Sequence, residues 1–238
     1  MERATHVAAA VLALAVWTGA AGAQTAGPDR TRQAIEAART GHVILLCRHA
    51  ATTNFRETEP LDYDDPSTQR RLSRAGRERS TALGRALAAA GVRVVEVVAS
   101  PVDRAVRTAE LMVGPPRIDS IWHTNDGDYR GIGRTHRLEA LRRPVPDGVR
   151  LIVSHIGTMG SVVPQVRSRV AEGDCAVVRP GPDGHRLIGI VPDTAWTAAG
   201  RPRRNDRLSA PSRPGPARGA TRRPDHPRVP GRGTPTPT

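Results

Sequence analysis

The chain has 238 residues, with 36 basic side chains, every one an arginine, against 23 acidic ones, for a formal net charge of +13. Aromatic residues make up only 3%, which offers no stacking platform for single-stranded nucleic acid. Two cysteines, Cys47 and Cys175, are too few for a disulfide framework and leave open one bridge or two separately buried thiols.

The N-terminus reads as an export signal over residues 1–23. Arg3 supplies a short positive region, residues 7–17 an apolar core, and Ala21-Gly22-Ala23 a small-x-small cleavage pattern that leaves Gln24 as the new N-terminus. An uncleaved anchor helix is the alternative, but the apolar run falls short of the ~20 residues a span requires. The expected product is exported, periplasmic or extracellular, with no stable membrane insertion.

Residues 24–40 form a polar lead-in with a short helix around 32–38. The domain proper is expected over residues 41–197. It opens on His42-Val43-Ile44-Leu45-Leu46-Cys47-Arg48-His49-Ala50-Ala51-Thr52, a continuous apolar run that ends in an adjacent Arg and His and then in small and hydroxyl residues. Such a run suits a strand buried on both faces of a parallel sheet. Ligands of open α/β sheets bind beyond the carboxyl ends of those strands. Arg48 is suited there to an anion and His49 to attack or proton transfer. Cys47 reads as a packed thiol, with a redox-sensitive neighbour of the nucleophile as the other reading.

Residues 54–67 carry Pro60, Pro66, Asp62, Asp64 and Asp65 and read as a loop, either shaping a pocket rim or merely solvated. A helix is expected over 72–90, capped by Ser73 and closed by Gly91. Gly76 and Gly84 weaken it intrinsically by up to ~1 kcal/mol each. A second strand over 92–99 ends in Ser100-Pro101, and a helix to about residue 113 brings Arg104 to its first turn. The unpaired N–H groups of that helix start favour a phosphate contact for Arg104, while Arg107 is expected to be exposed. A weaker strand is expected over 117–122, a Gly/Asp-rich loop over 123–135, and a short helix around Leu138 and Leu141 that Pro144 ends. The strong strand at 149–154 terminates in Ser154-His155-Ile156-Gly157-Thr158, so three strands deliver chemically competent residues to one edge.

These motifs together resemble the histidine phosphatase superfamily, in its phosphoglycerate-mutase-like branch, over about residues 42–196. The resemblance rests on Arg48-His49-Ala50, on Gln69-Arg70-Arg71-Leu72-Ser73-x-x-Gly76, on Ser100-Pro101-x-x-Arg104-x-x-x-Thr108-Ala109, and on His155-x-Gly157-Thr158. It implies an α/β fold with a mostly parallel central sheet, helices on both faces and a C-terminal hairpin. It also implies that His49 attacks phosphorus, that Arg48, Thr52, Arg104 and His155 bind the phosphoryl group, and that neither a cofactor nor a metal is needed. The expected substrate is a phosphorylated small molecule or a phosphoprotein, hydrolysed as a phosphomonoester or phosphohistidine. A mutase is less expected, because no mutase acid motif is evident and export removes the chain from central metabolism.

Many relatives place a Glu general acid in the loop after the third strand, and this sequence departs from that pattern. Asp128 is the first candidate there and Asp126 another; Asp174, in Gly173-Asp174-Cys175, is the alternative acid, and Glu139 reads as helix decoration. No acid follows His155, which argues against the acid-phosphatase and phytase branch. The segment 113–149 is too short for a large cap, so an open site is expected.

Residues 176–180 and 185–191 read as a hairpin around Gly181-Pro182-Asp183-Gly184. The tail, 198–238, is dominated by Arg, Pro, Gly, Ser and Thr and carries ten Arg against two Asp, which leaves the rest of the chain near +5. Such a composition buries too little to order itself. It offers a weak polyanion contact by counterion release, or no function at all. Two rivals to an enzyme therefore stand: a catalytically silent phosphatase fold that binds, and a tail-driven polyanion binder.

Overall fold

A computed structural model describes residues 27–58, 61–123 and 131–199. The export-signal reading, Asp126 and Asp128, and the tail from residue 200 onward lie outside the described residues. Helix α1 spans Pro28–Thr40, with proline in its first turn, and is longer than the sequence suggested. Strand β1, Val43–Arg48, follows through a sharp turn in which Gly41 and His42 both take positive φ. Then come α2 (Arg74–Ala89), β2 (Val94–Ala99), α3 (Asp103–Met112), β3 (Arg117–Ile118), α4 (Ile132–Arg142), β4 (Val149–Ser154) and α5 (Ile156–Val162). A hairpin of β5 (Cys175–Gly181) and β6 (Gly184–Val191) and the helix α6 (Asp193–Ala199) complete the described chain.

The six strands form one sheet in the order β3-β2-β4-β1-β5-β6. The first four run parallel, whereas β5 is antiparallel to β1 and β6 antiparallel to β5. The fold is the expected α/β arrangement, and β1 lies at its centre between β4 and β5. Alternation along β1 divides the core. Val43, Leu45 and Cys47 face the layer holding Leu83, Leu87, Ala105 and Trp196, whereas Ile44 and Leu46 face Leu141, Met159 and Val178. Helices therefore cover both faces, which is why the β1 sequence is apolar at every position rather than every second one.

Three expectations are corrected. The third strand stops at Ile118, because the side chain of Asp119 accepts the amide of Ile121 and turns residues 120–122 into a single helical turn. The loop after it gives way to helix already at Ile132. The chain past Trp196 continues in α6 as far as Ala199, with Trp196 fully buried.

The two α2 glycines have a packing role that offsets their weak helix propensity. A Cβ on Gly76 would stand 2.0 Å from the carbonyl oxygen of Ala51, and one on Gly84 1.9 Å from that of Met112. Gly76 thus lets the start of α2 close on the backbone just past His49. Ser73, the expected N-cap, accepts the Gly76 amide at 3.0 Å and donates to the Ala51 carbonyl at 3.2 Å.

The cysteines are joined. Cys47 and Cys175 lie directly opposite each other on β1 and β5 and form a disulfide, so the reading of Cys47 as a packed thiol is overturned. Sequence separation had hidden the pairing: the two are 128 positions apart, and only the antiparallel register makes them neighbours.

Candidate active site

Each predicted strand end delivers its residue. Arg48 closes β1 and His49 follows it, with the His49 amide donating to Ser154 of β4 at 3.0 Å. The Ser100 amide, beyond β2, donates to Val153 at 3.1 Å, which brings the three C-terminal ends level. Thr108 ties α3 to this edge, because its hydroxyl accepts the Ala50 amide at 3.0 Å while donating to the Arg104 carbonyl at 2.7 Å. Gln69 fixes the start of the same helix: its Oε1 accepts the Asp103 amide at 2.7 Å and its Nε2 donates to Asp62 at 2.6 Å. Arg104 is buried on the first turn of α3, and Arg107 is exposed and paired with Glu110, both as expected.

His49 is buried, and its Nδ1 lies 2.9 Å from the carbonyl oxygen of Ala50. A carbonyl can only accept, so Nδ1 carries the proton and Nε2 keeps its lone pair. Burial, and then the charges of Arg104, Arg48 and Arg70, outweigh that hydrogen bond and push the His49 pKa down to about 3. The ring is consequently neutral across the physiological range.

His155 stands with its ring centroid 5.3 Å from that of His49. Its Nε2 lies 2.9 Å from Ser100 Oγ, which also accepts the Val102 amide at 3.4 Å. Ser100 Oγ keeps a proton and a second lone pair, so it can either donate to Nε2 or accept from it. Burial, followed by the nearby His49, holds the His155 pKa well below its ordinary value.

Two carboxylates that sequence reasoning did not single out hold the arginines. Glu57 pairs with Arg104 and also accepts the Arg70 amide at 3.1 Å; Glu172 lies 3.4 Å from Arg48, whose other terminal nitrogen donates to Val170 at 3.3 Å. The loop after His49 is therefore more than a solvated rim. Arg70 was likewise quoted only within a motif, yet its charge reaches both His49 and His155. Thr52 pairs with Leu72 in an isolated bridge beside these residues.

The alternative acid, Asp174, is placed otherwise. Its carboxylate oxygens accept the amides of Ala171 and Asp193, each at 3.1 Å, so it closes the turn before β5 and the start of α6. Burial pushes its pKa up. Glu139 lies on α4, as expected. No group of His, Cys, Asp and Glu among the described residues could hold a metal ion.

Four buried nitrogens in this group have no hydrogen-bond partner among the described residues: Nε of Arg48, Arg70 and Arg104, and Nδ1 of His155. The three guanidinium Nε atoms are N–H donors. Around a neutral imidazole they make a cradle for an oxyanion with several acceptor oxygens.

The family comparison agrees with this geometry. Residues 44–124 match the model of the histidine phosphatase superfamily, branch 1. The matched stretch is 81 of the 238 residues, so the chain is similar to that superfamily over about a third of its length. No curated protein sequence matches the chain. Among solved structures, the protein histidine phosphatase SixA complexed with tungstate is similar at TM-score 0.50 and 17% identity, over 64% of this chain and 97% of that one. A phosphoserine phosphatase mutant from Entamoeba histolytica gives 0.47 and 11%, over 64% and 98%. Phosphoglycerate mutase from Bacillus anthracis gives 0.44 and 13%, over 68% and 98%. At such identities the likeness to the SixA structure is one of fold.

Proposed function

We propose that the protein hydrolyses a phosphomonoester or a phosphohistidine through a phosphohistidine on His49. The observation that carries this reading is the set of three buried guanidinium Nε–H donors, without partners among the described residues, around a neutral His49. In the first step the Nε2 lone pair forms a bond to phosphorus while the bond to the leaving group breaks. The imidazole becomes cationic as it does so, and the Nδ1–H bond to Ala50 strengthens because its donor is now charged. The guanidiniums of Arg48, Arg70 and Arg104, with His155 beside them, stabilise charge on the non-bridging oxygens, which is the main protein contribution to phosphoryl transfer. In the second step water attacks phosphorus, the P–N bond breaks, phosphate leaves and His49 returns to its neutral form.

The disulfide supports an oxidising compartment, in keeping with export. No helix among the described residues is long and apolar enough to cross a membrane.

The test is hydrolysis of an aryl phosphate between pH 5 and 8 by the full chain and its His49→Ala variant. Turnover that vanishes in the folded variant is the expected result. Undiminished turnover in the variant, or none in the wild type with any phosphomonoester or phosphohistidine, would refute the proposal and favour a silent binding fold.

A further inference from the structure

The turn that leads into β5, residues 170–174, holds Arg48 by both its backbone and its side chain. The Arg48 amide donates to the Asp174 carbonyl at 3.0 Å. The Gly173 amide is shared between the carbonyls of Arg48, at 3.3 Å, and His49, at 3.2 Å. One terminal nitrogen of the guanidinium donates to the Val170 carbonyl at 3.3 Å, and the other lies 3.4 Å from a Glu172 carboxylate oxygen. With both terminal nitrogens engaged by this segment, the plane of the guanidinium is set, and Nε is left without a partner among the described residues. Where residues 170 and 172 stand therefore fixes the direction in which Arg48 presents its Nε–H.

The place of those two residues depends in turn on Asp174. Its carboxylate is only 8% exposed and spends both oxygens on backbone amides, Oδ2 accepting from Ala171 and Oδ1 from Asp193, each at 3.1 Å. Asp193 is itself pinned, since Arg79 donates to its carboxylate at 2.6 Å. The Asp174 amide returns a bond to the Ala171 carbonyl at 3.1 Å, and Gly173 takes a φ of 92° that glycine adopts without strain, so the chain doubles back over four residues. Downstream of the turn, the Cys47–Cys175 bridge and the β1–β5 register already fix the strand. Upstream, the bonds between Ala171 and Asp174 are what fold residues 170–172 back onto Arg48.

We propose that Asp174 is the positioning residue for Arg48, its carboxylate shaping the turn that aims the guanidinium at the phosphoryl oxygens. The identity of that anion rests on the phosphatase reading above. Asp174 works at one remove, through Val170 and Glu172, and takes no part in proton transfer. An Asp174→Ala variant leaves two amides without their acceptor, and the turn relaxes to satisfy them. Glu172 keeps its charge in that variant. Arg48 then loses its aim while its countercharge remains nearby, and the affinity for a phosphoryl oxyanion falls.

Calorimetric titration with inorganic phosphate separates aim from stability. The full chain, Asp174→Ala, Arg48→Ala and the double variant are titrated at pH 7 and assayed on 4-nitrophenyl phosphate, with His49→Ala as the catalytic control. For Asp174→Ala, the phosphate Kd is expected to rise about 10-fold and kcat/KM to fall by about 10- to 100-fold. In the Arg48→Ala background the same change is expected to move Kd less than about 2-fold, because no guanidinium is left to aim. A loss of stability alone would lower the number of phosphate sites per chain and leave Kd in place. Gly173→Ala keeps the carboxylate but strains the turn, so it is expected to raise Kd in the same way, and it serves as the test if Asp174→Ala does not fold. An unchanged Kd in the folded variants, or equal rises with and without Arg48, would overturn the role of Asp174. A wild type that binds phosphate but hydrolyses no ester would overturn the phosphatase reading alone, with the Kd comparison still judging Asp174. A wild type that binds no phosphate would overturn both.

Discussion

Acid should destabilise the protein through the histidine proposed as its nucleophile. The His49 pKa is held at about 3 in the folded chain, against 6.5 for an unhindered histidine. Between those values the unfolded chain binds one more proton than the native one, so stability rises with pH and is lost as pH falls below 6.5. Integrated from pH 7 to pH 5, this one side chain removes about 2 kcal/mol, and between about pH 4 and 6 the slope is about 1.4 kcal/mol per unit. Buried His155 and partly buried His185 shift in the same direction, and Asp174, whose pKa is raised, works against them. A difference measurement cancels these groups. Urea unfolding at pH 7, 6 and 5 should show the full-length wild type losing about 2 kcal/mol more than His49→Gln over that range, whatever the two stabilities are at pH 7. Parallel losses in the two proteins would refute the claim that burial and three arginines keep His49 neutral.

The remaining predictions concern the supports of the site. The denatured chain should show no free thiol until it is reduced, and reduction should destabilise the fold by up to about 5 kcal/mol, the chain-entropy value for a loop of this length; a thermal midpoint unchanged by complete reduction would reject the bridge. Gly76→Ala should cost about 1–3 kcal/mol and also lower turnover, because the new methyl group displaces the backbone of Ala51, two residues from His49; a variant of wild-type stability and rate would refute the close approach. Glu57→Gln keeps an oxygen near Arg104 but removes its countercharge, so inorganic phosphate should inhibit the variant more tightly than the wild type, whereas weaker inhibition would show that Glu57 serves only to aim Arg104.

What the sequence made legible was the set of residues placed by strand ends. An apolar run that stops at Arg48-His49 or at Ser154-His155 announces both the buried strand and the edge where it emerges, so His49, Arg48, Arg104 and His155 could be gathered before any coordinates. Partners that act across the fold were hidden. Glu57 lies 47 residues before Arg104 within a stretch whose prolines and aspartates look merely solvated. The disulfide depends on the register of β1 against β5, and a hairpin expected to begin at residue 176 leaves Cys175 just outside it. Gly76 and Gly84 looked like helix weaknesses because propensity is local and the carbonyls they admit belong to other elements.

The carboxylates found with the arginines bear on how the site can turn over. A buried guanidinium without a countercharge is costly, and Arg104, whose pKa burial pushes down despite Glu57, shows that the cost is felt even with its partner present. Glu57 and Glu172 therefore reduce the self-repulsion of Arg48, Arg70 and Arg104 in the absence of substrate. Both pair through the terminal nitrogens of Arg104 and Arg48 and leave the Nε–H groups unspent. In the proposed reaction an incoming phosphoryl group is met by Nε donors that are already in place, while each carboxylate offsets part of the positive charge that would otherwise hold the phosphate product. A cradle of bare arginines would bind phosphate more tightly and release it more slowly. In this arrangement the ion pairs that stabilise the fold also moderate the affinity of the site.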